Sequence, residues 1–328
     1  MKTIAILGAS GRIGREVARM FSRYGPDLEL KGSYYKHKPS FDGIDAQKVN
    51  IENEGDILRF CQSCDAVIDC TGPSSKFGLA TSRLLAQIDI PFISVGHEYC
   101  PQSKNQTFQA GALPGILSGA FLLLDPQYSN VEIAYKFAGS LTPNAAYDVI
   151  TASSYAPPIS NDGAEPNMLS QFRSESIPYN DIAISRLANK AGVSVAAFSI
   201  WPKEIRTPLA SSKKLNAMRA SFAVSAFSHL DSSPTKSTNI YLAGSSRDGE
   251  ISKKVISVPS LNLLSAASAW LAFRHDLYEC RDSALPLAIL QSKNPKLYIE
   301  EAVALVGGKV DEVATTSSPF SSVEEGTI

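Results

Sequence analysis

Residues 3–7, TIAIL, form a short apolar run that stops at Gly8, the pattern of a strand buried on both faces. The stretch REVARMFSRYG follows, with Ile13, Val17, Met20 and Phe21 falling on one face at helical spacing. LELKGSY, residues 28–34, reads as a second strand. CDAVIDCTGP, residues 64–73, is a third apolar strand closed by a small-residue turn, and SKFGLATSRLLAQ a helix after it. IPFISVGHE, residues 90–98, gives another buried strand. A short strand near GALPG and a helix from Ile116 to Leu124 complete this half. Strands alternating with helices across short links predict an α/β fold, a Rossmann-type doubly wound parallel sheet.

The pattern changes near Val131. VEIAYKFAG predicts a strand, and LTPNAAYDVITASSY a helix with Thr142 as N-cap and Pro143 at its first position. Residues 156–180, rich in Pro, Ser and Asn, predict a long loop or lid. VSVAAFSI, MRASFAVSAFSH and STNIYLAG predict antiparallel strands of a separate sheet. SLNLLSAASAWLAFRHDLYEC and the ALPLAIL stretch predict helices, and the chain after Val313 is expected to fray. The expected organisation is a nucleotide-binding domain over residues 1–127 and an α+β domain for substrate and dimerisation over 128–290. Residues 291–328 would supply a helix returning to the first domain and a tail.

Gly8-Ala9-Ser10-Gly11-Arg12-Ile13-Gly14 lies between the first strand and its helix, where a glycine turn makes a phosphate cradle. Gly8 permits the tight turn, Gly11 lets the backbone approach a pyrophosphate, and Gly14 lets helix pack on strand. Ser10, Arg12 and Ile13 belong to the same candidate contact set. A carboxylate that would hold the adenosine ribose is expected about 20 residues further on. None occurs between Glu29 and Asp42, and KGSYYKHKPS stands there instead. Cations and hydroxyls in place of an acid suit a ribose carrying a 2′-phosphate. Lys36 and Lys38 are therefore the candidate phosphate partners, with Tyr34 or Tyr35 near the adenine and NADP(H) as the expected cofactor. A solvated basic loop is the plainer alternative. Tyr34 and Lys38 also fit a Y-x-x-x-K spacing, but that pair belongs on a later helix, so no catalytic role follows.

The 328 residues allow two domains, and 44% hydrophobic with 19% charged residues is an ordinary globular balance. A formal charge of −1 gives no basic surface for nucleic acid or anionic membrane. No apolar run reaches the ~18 residues of a membrane span, and the first apolar run is cut too early by its glycines for a secretory leader, so a cytoplasmic protein is expected. Cys61-Gln62-Ser63-Cys64 lacks the second close pair of a zinc site, and the five cysteines read as reduced thiols, with no metal expected.

GASGRIG, CDAVIDCTGP, FISVGHE, GALPGILSG and GSLTPNAAYD occur in an order that resembles the saccharopine dehydrogenase-like reductases over roughly the first 150 residues. The resemblance implies an NADP-binding Rossmann domain with an α/β partner domain. It also implies reduction of a C=N bond formed between an amine and a 2-oxo acid or aldehyde. Gly8, Gly11 and Gly14 would form the pyrophosphate turn, Thr71, Gly72 and Pro73 would lie along the nicotinamide ribose, and Glu98 matches a family acid near the cleft. The second half departs from the family, so the substrate does not carry over.

Ligands of such sheets lie beyond the carboxyl ends of the strands. That places His97 and Glu98 as candidate proton donor or iminium-stabilising groups. Adjacent residues on extended chain point apart, so one of them would reach substrate while either could instead cap the strand. Tyr147 and Asp148 are further candidates, and a substrate carboxylate could meet the start of their helix or Arg173. His229 and His275 read as core or surface residues. The leading expectation is an NADPH-dependent reductase of a small amino-acid-derived imine or related carbonyl compound, acting as a homodimer. Two alternatives stay open: a non-catalytic NADP(H)-sensing regulator, and an isomerase or dehydratase that retains its nucleotide.

Overall fold

The structure, a computed structural model, describes residues 1–39, 43–96, 105–136, 176–178, 181–200, 237–276 and 286–313. Its first sheet is built from the short apolar runs. Strands β1 (Lys2–Leu7), β2 (Leu28–Tyr34), β3 (Asp45–Lys48), β4 (Ala66–Asp69), β5 (Phe92–Ser94) and β6 (Gln106–Thr107) pair in the order β3-β2-β1-β4-β5-β6. Every pairing is parallel. Ile4 to Leu7 and Ala66 to Asp69 are fully buried, as central strands covered on both faces must be. Helices α1 (Arg12–Tyr24), α2 (Glu54–Cys61) and α3 (Ser74–Ala86) cross between these strands. The doubly wound α/β arrangement is thus the one the sequence predicts. Two of its elements, β3 and α2, were not anticipated.

The second sheet contains β7 (Tyr128–Lys136), β8 (Ser176–Pro178), β9 (Ser194–Ile200), β10 (Thr238–Ser246), β11 (Ile251–Val258) and β12 (Lys309–Glu312), in the order β12-β11-β10-β7-β9-β8. It is mixed, which corrects the antiparallel expectation. VSVAAFSI does pair β9 with β7 but runs parallel to it, because helix α4 (Ile182–Ala191) returns the chain before β9 begins. β8 lies inside the stretch expected to be loop, and β11 and β12 add two unexpected strands. The segments expected as the Thr142-capped helix and the strand MRASFAVSAFSH fall outside the described residues, as does the chain after Val313.

A 3-10 helix, Ile116–Leu123, is apolar nearly all round and therefore buried. It packs against β7, α4 and α7 (Pro295–Leu305). The short strand expected near GALPG is β6, a few residues before it, while GALPG itself is a turn in which Gly111 and Gly115 bridge to one another, as its Gly and Pro content favours. Within the described part of ALPLAIL the chain forms the short helix α6 (Ala288–Gln291). Leu287 just before it bridges to Phe108, extending the edge of the first sheet. The apolar helix α5 (Leu261–Asp276) lies on α1, where Phe21 meets Trp270 and Phe273 at ring-centroid distances of 5.1 Å each. That aromatic contact ties α1 to a helix from the last third of the chain.

Candidate functional site

The parallel order brings the ends of β1, β2, β4 and β5 to one edge of the sheet. At the end of β1, Gly8 takes φ +75, a left-handed conformation that costs other residues strain. Its amide donates to Ser33 Oγ of β2 at 2.8 Å, and its carbonyl accepts from the Gly11 amide at 2.9 Å. The Arg15 amide then donates to Gly11 O at 3.0 Å and starts α1. A Cβ on Gly14 would stand 2.2 Å from Gly8 O and 2.8 Å from Ala9 Cα, so only glycine lets the helix begin this close to the strand. No side chain caps the start of α1, and no acid lies in its first turn. Its positive end is left facing the glycine loop, the arrangement that receives an anion.

Beyond β2, Tyr34 is half-buried while Tyr35, Lys36, His37 and Lys38 are exposed. Among the described residues neither Lys36 nor Lys38 pairs with a carboxylate. The end of β2 itself carries Tyr34 where an acid would exclude a phosphate.

The β4 edge is organised by Asp69, which is 1% exposed. Its Oδ1 accepts from the Thr71 amide at 2.9 Å and from Thr71 Oγ1 at 2.6 Å, fixing the Thr71-Gly72-Pro73 turn that opens α3. Gly72–Pro73 is a cis peptide. Burial pushes the Cys70 thiol well up, and the neighbouring Asp69 charge adds to it. Cys61 is raised in the same way by burial, then by Cys64 and Asp69. These thiols stay protonated and inert at neutral pH. At the end of β5 the Gly96 amide donates to Ser94 Oγ at 3.2 Å. A Cβ on Gly96 would lie 2.4 Å from that of Ser74, so the β5 turn packs closely on the start of α3.

Gly8, Ser10, Gly11, Arg12, Ile13, Gly14, Thr71, Gly72 and Pro73 are thus brought to one edge, with Tyr34, Tyr35, Lys36 and Lys38 at the end of the adjacent β2. His97, Glu98, Tyr147, Asp148, Arg173 and His229 lie outside the described residues, and His275 falls within α5. Ser33 and Asp69 escaped the sequence reading. The signal available for both was a polar residue at or next to the last position of a strand of the parallel sheet. Among the described residues no three His, Cys, Asp or Glu side chains gather as a metal site, and no helix is long and apolar enough to cross a membrane.

Residues 2–94 match the family model described as dihydrodipicolinate reductase, N-terminus. A comparison with curated proteins finds no match. Among solved structures, apo saccharopine dehydrogenase (L-Glu forming) from Saccharomyces cerevisiae aligns with a TM-score of 0.60 at 10% identity, covering 96% of this chain and 100% of that one. Dipicolinate-bound dihydrodipicolinate reductase from Paenisporosarcina sp. TG-14 aligns with a TM-score of 0.46 at 13% identity, over 85% of this chain and 96% of its own. The resemblance carried by the ordered motifs therefore extends to the fold, since the alignment with that saccharopine dehydrogenase spans nearly the whole chain.

Proposed function

We propose that the chain is an NADPH-dependent oxidoreductase, saccharopine dehydrogenase-like, that reduces a C=N bond or a related carbonyl group of a small amino-acid-derived substrate. One observation carries the reading. The uncapped start of α1 stands over a glycine cradle too tight for any side chain at Gly14, beside a β2 end that offers cations and no acid. These residues fit a dinucleotide with an extra phosphate. The backbone from Gly8 to Gly14 would hold the pyrophosphate, with Ser10, Arg12 and Ile13 around it. Lys36 and Lys38 would meet the 2′-phosphate, Tyr34 or Tyr35 the adenine, and the Thr71–Pro73 turn the nicotinamide ribose. Bound NADPH supplies a hydride to the carbon of the substrate double bond. The chain's own part is to orient the two reactants and keep water out.

An imine nitrogen protonates readily, so this reduction needs less from a protein acid than a ketone would. His97, Glu98 and Tyr147 are the proposed groups for holding or delivering the proton. Residues 1–127 are proposed as the nucleotide domain, 128–290 as the substrate and dimer domain, and 291–328 as a returning helix and tail. The protein is proposed to work as a cytoplasmic homodimer on a small molecule, without nucleic acid or membrane.

The test is a titration of NADPH and NADH against the wild-type chain and a Lys36→Ala/Lys38→Ala variant. Each lost charge-assisted contact costs about 1.5–3 kcal/mol, so NADPH should weaken at least tenfold while NADH changes little. Equal weakening of both nucleotides would overturn the phosphate assignment. NADPH binding without oxidation across a panel of amines and 2-oxo acids would favour the sensor alternative.

A further inference from the structure

We infer that Gln109 reads the nicotinamide end of the cofactor, its side-chain oxygen accepting a hydrogen bond from the carboxamide NH2. This rests on the nucleotide reading above and adds to it a residue outside the glycine, Thr71–Pro73 and acid–base sets. The Gln109 amide donates to Gly96 O at 3.1 Å, and the Ala110 amide donates to Ser94 O at 2.9 Å. The segment thus folds across the carboxyl end of β5. With the pyrophosphate on the β1 turn and the adenosine phosphate at β2, the strand order sends the other half of the dinucleotide over β4 and then β5. Gln109 stands at the end of that path.

Two features of Gln109 are costly and have no counterpart in its neighbour Gln106. Its φ is +51, in the region that non-glycine residues seldom adopt. Its Oε1 is buried, in a residue only 5% exposed, and meets no hydrogen-bond donor among the described residues. Gln106, 1% exposed, has both ends of its amide engaged: Nε2 donates to Ser82 O at 2.7 Å, and Oε1 accepts from Ser82 Oγ. Burying a glutamine at this edge is therefore compatible with full pairing, and Gln109 departs from it at a strained backbone position. A buried acceptor held in that way suits a ligand that brings its own donor. The nicotinamide ring has one such donor, the carboxamide NH2.

The experiment compares binding of NADP+ and of its 3-acetylpyridine analogue, which keeps the ring carbonyl but replaces NH2 with methyl. Calorimetry is run on the wild type and on Gln109→Met and Gln109→Asn, with the thermal midpoint of each free protein. Wild type should prefer NADP+ by about tenfold, as one hydrogen bond to a buried acceptor predicts. Gln109→Met, similar in shape but lacking the acceptor, should bind both nucleotides equally, with a free-protein midpoint at or above wild type. Gln109→Asn suits the left-handed backbone but falls a methylene short, so it should lose most of the preference. A preference unchanged in either variant, or absent from wild type, overturns the assignment. So does a midpoint several degrees lower in Gln109→Met, which marks an amide engaged within the free protein. Wild type that binds neither nucleotide overturns the cofactor reading itself.

Discussion

Alanine at Gly11 and alanine at Gly14 should separate two roles that a glycine turn combines. At Gly14 the added Cβ would stand 2.2 Å from Gly8 O, whereas real contacts of this kind essentially never fall below 3.0 Å. The start of α1 must then retreat from β1 by roughly 1 Å. Overpacking of this kind costs about 1–3 kcal/mol. The gain in helix propensity from glycine to alanine returns about 1 kcal/mol. The net loss of about 0–2 kcal/mol should appear as a thermal midpoint lower by up to ~8 °C. At Gly11 the backbone has φ −71 and ψ 169, open to any residue, and the nearest atom to a Cβ is Gly8 O at 3.1 Å. That contact asks for a shift of a few tenths of an ångström. With the N-cap preference for glycine included, the stability cost stays under about 1 kcal/mol. Gly11 is exposed above the cradle, however, where a methyl group occupies the approach of a pyrophosphate. NADPH affinity in Gly11→Ala should fall at least tenfold, about 1.4 kcal/mol. Differential scanning fluorimetry and a fluorescence titration of NADPH measure the two effects. Gly11→Ala with wild-type NADPH affinity, or Gly14→Ala more stable than wild type, would refute the reasoning.

Two further outcomes follow, one at the β4 edge and one at the end of α2. Asp69→Ala removes the acceptor of both Thr71 hydrogen bonds, so stability should fall by about 1–3 kcal/mol and NADPH should bind more weakly. Asp69→Asn keeps an oxygen in place and should recover most of both, as urea unfolding and the same titration would report. The second outcome concerns the Cys61 thiol, raised above its ordinary value of 9.0 and therefore binding its proton more tightly folded than unfolded. Its contribution is intact below pH 9.0 and declines as pH rises further, by about 1.4 kcal/mol per pH unit. Unfolding at pH 8 and pH 10 should show this loss in wild type and a smaller one in Cys61→Ala, and equal losses would count against it.

The nucleotide half was legible because its signals are local. TIAIL running into Gly8 needs no distant partner to read as a buried strand entering a turn, and the missing acid after β2 is a fact of one short stretch. α5 was equally plain, since sixteen residues without a breaker leave little choice but helix. What escaped depends on long-range pairing. β3, DAQK, has Ala46 as its one apolar residue and becomes a strand because β2 offers it an edge. The parallel pairing of β9 with β7 is set by α4 and by chain between them, and nothing inside VSVAAFSI announces direction.

The polar residues of the edge show how far that limit could be pushed. The register pairs Ile6 with Gly32 and Leu7 with Asp69. Ser33 and Asp69 therefore arrive level with the Gly8 turn, and each holds backbone there: Ser33 the Gly8 amide, Asp69 the Thr71 amide. Once β1, β2 and β4 are accepted as parallel neighbours, their ends can be aligned from sequence alone. A buried polar side chain at or next to the end of such a strand then needs a partner, and the nearest unpaired groups are the amides of the turns beside it. Gln109 would not yield to this argument, because its position depends on a backbone reversal at φ +51 that no local pattern in FQAGALPG requires. The residues that shape the cradle follow from strand alignment, and the one inferred to read the far end of its ligand follows only from the folded chain.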